Sequence, residues 1–465
     1  MTLDLLKELA EREGEQFDLH ERYLNPQLVR VLRTIGFDRR YVRAERQYLF
    51  DERGDRYLDL LSGFGVFALG RNHPTVKQAL RDVIDADLPN LVQLDVSLLS
   101  GLLAERLIAR MPGQERIFFC NSGTEATEAA IKLARAATGR TKLVFCEHAF
   151  HGLTLGALSL NGDPSFRNGF GPLLENTLRV PFNDSTALDA ALSGADVAAF
   201  IIEPIQGKGV NLPRSSPGGG YLQDAARLCR KYGTLLVSDE IQTGLGRTGR
   251  FLAGEHFGID PDLVLLAKAL SGGFVPIGAV AGKSWIFDRT FNRMDRAVVH
   301  GSTFAKNNLA MAAGLATLEV LDAEQLIANA DRRGESLLRR LRALVPKYEL
   351  LTEVRGQGLM IALEFGAPQT FRLRAAWALL DKASRGLFCQ MIIIPLFKRH
   401  RILSQVAGHE LYVIKLLPPL CLSEADEDWV VAAFDAAIAE CHNVPSSVWD
   451  LATTLAGHAL RAKSA

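Results

Sequence analysis

An acid and a lysine stand at the ends of two apolar stretches near the middle of the chain. One stretch ends in Ser238-Asp239-Glu240, another ends just before Lys268, and glycine-rich turns follow both. A lysine that attacks a carbonyl group must be neutral, which requires burial or a nearby cation to lower its pKa. A carboxylate such as Asp239 would keep a pyridine nitrogen protonated, as pyridoxal phosphate needs when it serves as an electron sink. The pair indicates a pyridoxal phosphate site, whereas either residue alone is as readily explained as a strand cap or the start of a surface helix.

A motif of small residues, Ser122-Gly123-Thr124-Glu125, lies where a predicted strand turns into a helix. Small residues let backbone N–H groups approach a phosphate, and the helix N-terminus carries a favourable partial positive charge. We expect Ser122, Gly123 and Thr124 to hold the phosphate. A capping box with Glu125 or Glu128 explains the same residues, and the two interpretations are compatible.

Phe150, His151 and Glu203 follow other predicted strands, at the sheet edge where open α/β sheets bind ligands. Gln242 and Thr303 are further candidates. Phe150 is placed to stack on a pyridine ring, with core packing as the alternative. Gln242, three residues past the acid, is expected to reach the phenolic oxygen of the coenzyme. The Thr303 hydroxyl offers a second phosphate contact, which spacing alone does not assign to one subunit.

The order of the predicted elements defines a doubly wound α/β domain. From about residue 75 to 320 the pattern strand, turn, helix repeats. Several strands are nearly continuous apolar runs, typical of strands that helices cover on both faces. The predicted strands are 116–120, 142–146, 197–202, 234–237 and 263–266, and one covering helix is 221–231.

The flanking segments complete a two-domain organisation. Residues 1–74 are predicted as an N-terminal arm belonging to the small domain, 75–320 as the large coenzyme-binding domain, 321–445 as a C-terminal small domain and 446–465 as a loosely attached helical tail. Alternation over 46–61 predicts a hairpin with its turn at 52–55. The remaining predicted elements are helices at 309–321 and 332–344 and strands within 350–365, 391–394 and 411–416.

The bulk composition excludes several classes of protein. A chain of 465 residues with 48% hydrophobic and 23% charged residues can bury the core of a two-domain enzyme. Equal counts of 53 basic and 53 acidic residues give no overall field toward nucleic acid or an anionic membrane. The six cysteines, at 120, 146, 229, 389, 421 and 441, have no CxxC or metal-ligand spacing. With neither a leader-like apolar start nor an uncharged run near the roughly 18 residues of a membrane span, we predict a cytoplasmic protein with reduced thiols.

Six motifs in this order resemble those of class III aminotransferases, the fold-type-I pyridoxal phosphate enzymes that act on ornithine, acetylornithine, putrescine and 4-aminobutyrate. The motifs are Asn121-Ser-Gly-Thr-Glu, Phe150-His-Gly, Glu203-Pro-Ile-Gln-Gly, Asp239-Glu-Ile-Gln-Thr-Gly-Leu-Gly-Arg-Thr-Gly, Lys268-Ala-Leu-Ser-Gly-Gly and Gly301-Ser-Thr-Phe. The resemblance covers roughly residues 20–440. The chain is most similar to the putrescine and ornithine members.

The resemblance implies a fold and a set of roles. The fold is a large doubly wound domain with a mostly parallel sheet, joined to a smaller α+β C-terminal domain. Members are dimers with sites at the interface, so we expect a homodimer. The implied roles are a Schiff base on Lys268, ring-nitrogen pairing by Asp239, ring stacking by Phe150, an oxygen contact from Gln242, and phosphate binding by Ser122, Gly123, Thr124 and Thr303 of the partner subunit.

The chain departs from the ornithine-type pattern at three positions. Leu153 and Lys415 stand where those members have arginines that contact substrate carboxylates, and Lys208 stands where they have a glutamate. A lysine lacks the planar, bidentate grip of arginine on a carboxylate, so glutamate is not expected to be recognised in the usual way. These two lysines, with Lys306, either bind an anionic substrate or are solvated charges at the rim.

Two apolar features bear on the substrate. Phe64 lies where relatives place substrate-pocket residues, and the apolar segment 388–402 ends in basic residues. Apolar walls with a basic mouth suit a long-chain amine or aldehyde, although the segment could instead pack the small domain or a dimer. We expect an aminotransferase that moves an amino group between a primary amine or amino acid and a 2-oxo acid or aldehyde, its substrate an ω-amine or a hydrophobic, lipid-derived aldehyde. The alternatives are an aminomutase of the same fold and a non-catalytic coenzyme-binding protein.

Overall fold

A seven-stranded, mostly parallel sheet forms the centre of the computed structural model, which describes residues 3–92, 96–216, 219–383, 386–407 and 412–443. The strands of the chain are β1 (Tyr41–Glu45), β2 (Tyr48–Asp51), β3 (Arg56–Asp59), β4 (Arg116–Cys120), β5 (Lys142–Cys146), β6 (Thr177–Val180), β7 (Val197–Ile202), β8 (Ser215–Ser216), β9 (Gly219–Gly220), β10 (Leu235–Asp239), β11 (Leu263–Leu266), β12 (Gly278–Gly282), β13 (Leu351–Gln357), β14 (Met360–Phe365), β15 (Ile402–Leu403), β16 (Gln405–Ala407) and β17 (Val413–Leu416). The central sheet has the order β4-β12-β11-β10-β7-β5-β6. In this sheet β6, β5, β7, β10 and β11 run parallel to one another, and β12 is antiparallel to both of its neighbours.

Helices cover both faces of the central sheet. All residues of β7 and β11 are buried, as expected for parallel strands between two helical layers. The doubly wound α/β fold is therefore confirmed. The α-helices are Leu5–Glu11, Gln16–Tyr23, Pro26–Ile35, Pro74–Asp85, Leu98–Ile108, Gly123–Thr138, Leu155–Ser159, Pro164–Arg167, Ser185–Leu192, Tyr221–Tyr232, Ser284–Thr290, Asn308–Ala323, Leu326–Arg342, Phe371–Ala383, Leu387–Lys398 and Glu424–His442, with a kinked turn at Ser62–Gly65. Short 3-10 helices are Ala253–Phe257, Lys268–Ser271, Met294–Arg296 and Val345–Lys347.

Two four-stranded sheets flank the central one. The sheet β13-β14-β17-β16 is antiparallel and belongs to the C-terminal part of the chain. The sheet β1-β2-β3-β15 joins distant segments, because β15 pairs in parallel with β3. The N-terminal arm is thus hydrogen-bonded to the C-terminal part.

Most of the predicted elements of the large domain are confirmed. β4, β5, β7 and β11 have their predicted bounds, and the predicted hairpin in the arm is formed by β2 and β3. The stretch 350–365 is a hairpin of β13 and β14 rather than one strand. The strand at 411–416 is observed as β17, whereas residue 411 and the predicted tail at 446–465 lie outside the described residues. Sequence analysis missed β6 and β12.

The predicted strand at 391–394 is wrong, because these residues lie inside the helix Leu387–Lys398. Nearly every side chain of that helix is buried, from Phe388 to Phe397. A helix that is apolar all round has no polar face to reveal its period, so its sequence looks like a buried strand. The segment packs in the hydrophobic core, and its side chains therefore give no support for an apolar substrate wall.

Within the described ranges, no helix combines the length and apolar character needed to cross a membrane. The same ranges contain no group of three or more His, Cys, Asp or Glu side chains arranged to hold a metal ion.

Replacement of Phe397 by alanine should destabilise the protein by about 3–5 kcal/mol, because it leaves a cavity in a packed core. The ring lies 4.2 Å from that of Phe37 and 5.2 Å from that of Tyr57, between centroids. Denaturant unfolding at fixed pH measures the change in free energy. Phe371→Ala is the control, since that side chain is 77% exposed and its loss should cost at most about 0.5 kcal/mol. Equal effects of the two substitutions would contradict the assignment of Phe397 to the core.

Candidate active site

Lys268 follows β11 directly and opens the 3-10 helix Lys268–Ser271. Its backbone has φ of 45°, in the left-handed region that a residue with a side chain rarely adopts and that often marks a functional site. Among the described residues, the half-buried side chain has no hydrogen-bond or ion-pair partner. Burial lowers the pKa of Lys268, while the carboxylates of Asp239 and Glu203 work in the opposite direction. Burial thus shifts the pKa of this amine in the direction that attack on a carbonyl group requires.

Asp239 ends β10, the strand next to β11. His151 Nδ1 donates a hydrogen bond of 2.6 Å to its Oδ2, and the backbone N–H of Ile241 donates one of 3.0 Å to its Oδ1. Both side chains of the His151 and Asp239 pair are buried. Burial opposes the charged imidazole, but the hydrogen bond and the charge of Asp239 outweigh it and raise the pKa of His151. The pair fixes the carboxylate of Asp239 at the edge of the sheet.

Glu203 follows β7 and binds two backbone N–H groups. Its Oε1 accepts from the N–H of Phe150 at 3.0 Å, and its Oε2 accepts from that of Gly207 at 2.7 Å. Burial raises the pKa of this carboxyl group. Its observed contacts set the position of Phe150, whose ring lies edge-on to Phe166 with centroids 5.6 Å apart.

Ser122, Gly123 and Thr124 begin the helix Gly123–Thr138 at the carboxyl end of β4. The hydroxyl of Ser122 caps the helix by accepting from the N–H of Glu125 at 3.2 Å. The N–H groups of Gly123 and Thr124 have no acceptor among the described residues. A Cβ on Gly123 would lie 3.0 Å from Ile241, so glycine keeps this turn open. The cap and the open N–H groups occur together, as the two sequence interpretations allowed.

Thr303 is exposed and has no hydrogen bond to this turn among the described residues. Its neighbour Ser302 accepts a 2.6 Å hydrogen bond from the side-chain amide of Asn121. The loop therefore reaches the end of β4, but the structure does not bring the Thr303 hydroxyl to the turn at 122–124 of the same chain.

Gln242 forms hydrogen bonds with two residues far away in the chain, Phe64 and Lys415. Its Nε2 donates to the carbonyl of Phe64 at 3.0 Å, and its Oε1 accepts from Lys415 Nζ at 3.3 Å. Phe64 itself has φ of 62° and is 55% exposed. One N–H of the Gln242 amide is left for another acceptor.

Lys415 is buried, so the interpretation of this residue as a solvated rim charge is wrong. Its ammonium donates to the carbonyl of Gly207 at 2.8 Å, in addition to Gln242. Both acceptors are neutral. Burial and the nearby charge of Lys268 lower the pKa of Lys415 to about 7.

Lys208 forms an ion pair with Asp163 and lies 5.0 Å above the ring of Phe166. Burial works against the Asp163 carboxylate, but the hydrogen bonds from Lys208 and Ser165 outweigh it and lower its pKa to about 2. Sequence analysis missed both Asp163 and Phe166. The Asp163-Pro164 pair at a helix start was the available signal.

The other substrate candidates remain exposed. Leu153 is 55% exposed and precedes Thr154, whose hydroxyl lies 2.8 Å from that of Thr124. Lys306 is also exposed. The structure thus places Leu153 near the turn at 122–124, and its side chain is not packed into the core.

The fold and the site define a fold-type-I pyridoxal phosphate enzyme. The family described as Aminotransferase class-III matches residues 35–438. The chain belongs to the class III aminotransferases, and pyridoxal phosphate is the coenzyme of this family.

Individual relatives agree with this assignment. The chain is 36% identical over 453 residues to Aminotransferase PigE of Serratia sp. (strain ATCC 39006), a match that covers 90% of this chain and 53% of that protein. The chain thus spans about half the length of this curated relative.

Solved structures are similar over nearly the whole chain. Ornithine aminotransferase of Toxoplasma gondii, with PLP at partial occupancy, superposes with a TM-score of 0.80 at 29% identity, covering 95% of this chain and 99% of that one. An amine transaminase from an uncultivated Pseudomonas species in its PLP-bound form gives 0.74 at 30% identity, covering 87% and 95%.

The residues present fit pyridoxal phosphate. Two open N–H groups at a helix start suit the phosphate, an unpartnered lysine suits covalent attachment, and a buried carboxylate suits a protonated ring nitrogen. These features come from three neighbouring regions of one sheet edge, at the ends of β4, β10 and β11.

The free energy of unfolding of the wild-type protein, relative to Lys415→Met, should rise with pH between about 7 and 10, by at most about 1.4 kcal/mol per unit. In this window the folded protein has partly lost a proton at Lys415 that the unfolded chain, with the ordinary pKa of 10.5, still holds. Below pH 7 both states are protonated and the difference should level off. Denaturant unfolding at several pH values measures it.

The matched control is Lys231→Met, because Lys231 is exposed and its hydrogen bonds with Tyr232 and Asp189 raise its pKa. The difference in free energy of unfolding between wild type and Lys231→Met should not change from pH 7 to about 9. A flat difference for Lys415→Met would contradict a buried ammonium that loses its proton near neutrality.

Proposed function

We propose that Lys268 binds pyridoxal phosphate covalently and that the chain transfers an amino group from a primary amine or amino acid to a carbonyl acceptor. The observation that carries this proposal is the position of Lys268, half-buried and unpartnered, next to the buried Asp239 and His151 pair. When bound, the coenzyme supplies an electron sink next to the reacting amine. Once the substrate amine has replaced Lys268 on the coenzyme, the freed Nζ would take a proton from the substrate carbon and later return one, acting as base and acid.

The other roles follow from the contacts around this pair. Asp239, held by His151, stabilises a protonated ring nitrogen. Glu203 fixes the backbone of Phe150, so that its ring stacks on the coenzyme. The phosphate is held by Ser122, Gly123 and Thr124, and the free amide N–H of Gln242 contacts the phenolic oxygen.

A homodimer completes the phosphate site in this proposal, with Thr303 of the partner subunit as the second phosphate contact. Support comes from the exposed position of Thr303, which has no hydrogen bond to the turn at 122–124 of its own chain among the described residues. The adjacent Phe304 is 61% exposed. A large apolar side chain left exposed there suits a contact with a second subunit.

The proposed substrates are amines and aldehydes without a carboxylate, namely an ω-amine and a hydrophobic aldehyde. The two lysines near the site are engaged, Lys208 by Asp163 and Lys415 by neutral oxygens. Leu153 and Phe64 present apolar surface where a carboxylate would need a cation. An aminomutase of the same fold is the second candidate, distinguished by conversion of one substrate without a separate acceptor.

We also propose the division into an arm at 1–74, a large domain at 75–320, a small domain at 321–445 and a tail at 446–465, supported by the separate sheets. A cytoplasmic location is proposed because Cys120, Cys146, Cys229, Cys389 and Cys421 are buried free thiols.

Amines without a carboxylate should convert the lysine-bound absorption band of the coenzyme at least about tenfold faster than glutamate or ornithine, because bidentate carboxylate recognition is missing. Absorption spectra recorded while adding glutamate, ornithine, putrescine or a long-chain primary amine measure the rates. Glutamate as the fastest donor would contradict the substrate proposal while leaving transamination intact.

The control for this experiment is a pair of lysine variants. Lys268→Ala should lack the lysine-bound band and lose turnover, whereas Lys231→Ala, on the surface helix Tyr221–Tyr232, should behave as wild type. A band that no amine converts would instead support a non-catalytic coenzyme-binding protein.

The protein should have a solution mass of twice the 51.0 kDa of one chain. Phe304→Glu should weaken the dimer by placing a charge in its interface and should weaken coenzyme binding with it, because Thr303 is adjacent. Light scattering and coenzyme titration measure the two effects. Phe371→Glu is the control, because Phe371 is 77% exposed. A monomeric wild-type protein that binds the coenzyme fully would refute a site shared between two subunits.

A further inference from the structure

The loop after β7 is held by the small domain through its carbonyl groups. Arg355 Nε donates to the carbonyl of Val210 at 3.0 Å, and its Nη2 donates to that of Gly209 at 2.8 Å. Lys415 Nζ donates to the carbonyl of Gly207 at 2.8 Å. Three carbonyls within four residues thus accept from two cations of one sheet.

The two cations occupy one transverse row of the small-domain sheet. Arg355 on β13 is opposite Ala362 on β14, and Ala362 is opposite Lys415 on β17. Side chains opposite each other in neighbouring strands project from the same face. The small Ala362 between them leaves room for the loop, and it shares a buried cluster with Val210 and Ile205.

The loop needs this support because its backbone is strained. Val210 has φ of 54°, in the left-handed region that is costly for a β-branched residue. A residue in such a conformation persists only when its surroundings fix it. The fork of the Arg355 guanidinium contributes to that restraint, together with the burial of Val210 and the paired backbone hydrogen bonds between Gln206 and Asn211.

The loop connects this restraint to the candidate site. The N–H of Gly207 binds Glu203, which also binds the N–H of Phe150. The side chain of Lys208 pairs with Asp163 and covers Phe166, whose ring contacts Phe150.

We propose that Arg355 and Lys415 are positioning residues, which hold the 207–210 loop by its carbonyls and thereby fix Lys208 and Phe166 as one wall of the substrate site. The wall sets how tightly the apolar part of an amine is bound. This inference rests on the proposed function for its kinetic consequence, and on the contacts alone for its effect on the loop.

The test uses the full-length protein with bound coenzyme and three variants. Arg355→Met keeps side-chain length but removes every donor. Arg355→Lys keeps the charge beside Glu353 and Glu364 but cannot replace the planar fork. Arg342→Met is the matched control, because Arg342 donates to the carbonyl of Val354, next to Arg355, without a hydrogen bond to the loop.

In Arg355→Met, hydrogen exchange at the Gly207 and Asn211 amides should be about tenfold faster than in wild type. The KM for a long-chain primary amine should rise about tenfold, with kcat within about twofold. Arg355→Lys should have an exchange rate and a KM between those of Arg355→Met and wild type. Arg342→Met should match wild type in both measurements.

Wild-type exchange in Arg355→Met would overturn the restraint on the loop. Faster exchange with an unchanged KM and a reduced kcat would overturn the link to substrate binding. If Arg355→Met does not fold, Arg355→Lys decides, because wild-type exchange and KM in that variant would exclude a role for the fork. If no amine converts the coenzyme even in wild type, the proposed function fails, and hydrogen exchange still decides the role of Arg355 in the loop.

Discussion

The site depends on keeping charged groups in place where three buried parallel strands end. Glu203, Asp239 and Lys268 emerge from the neighbouring strands β7, β10 and β11. Each loses water there, and a charge that loses water must find hydrogen bonds or change its protonation. The two acids find partners in His151 and in backbone N–H groups. The lysine has none among the described residues, and its pKa falls instead.

Satisfying the two acids also determines the backbone around them. Glu203 binds the N–H groups of Phe150 and Gly207 together, so the turns after β5 and β7 have fixed positions relative to each other. A Cβ on Gly207 would meet the side-chain ends of Gln242 and Glu203, so both would have to move for a larger residue. The same close approach brings the Gly207 carbonyl to Lys415. The hydrogen bonds of Glu203 at the sheet edge are thus connected, through Gly207, to Lys415 on β17.

Sequence reasoning recovered the parts of the fold and site that local chemistry determines. The apolar runs of β7 and β11 and the helix cap at Ser122 are local patterns, and the structure has them where they were predicted. Contacts between residues far apart in the chain left no such pattern. Gln242 and Lys415 are 173 residues apart, and Lys208 and Asp163 are 45 apart. The helix Leu387–Lys398 was missed for a different reason, since a fully buried helix shows no period.

The two lysines that depart from the ornithine-type pattern are best understood together. An arginine at 415 would place a permanent cation against the carbonyl of Gly207, next to Lys208 in the chain. In this chain Lys208 and Lys415 are stabilised in different ways. Lys208 turns away to the carboxylate of Asp163, and Lys415 is accommodated through a pKa lowered to about 7, which lets its charge decrease near neutrality. An arginine could not lose its proton in that position, so of the two basic residues only lysine can reduce its charge there near neutrality.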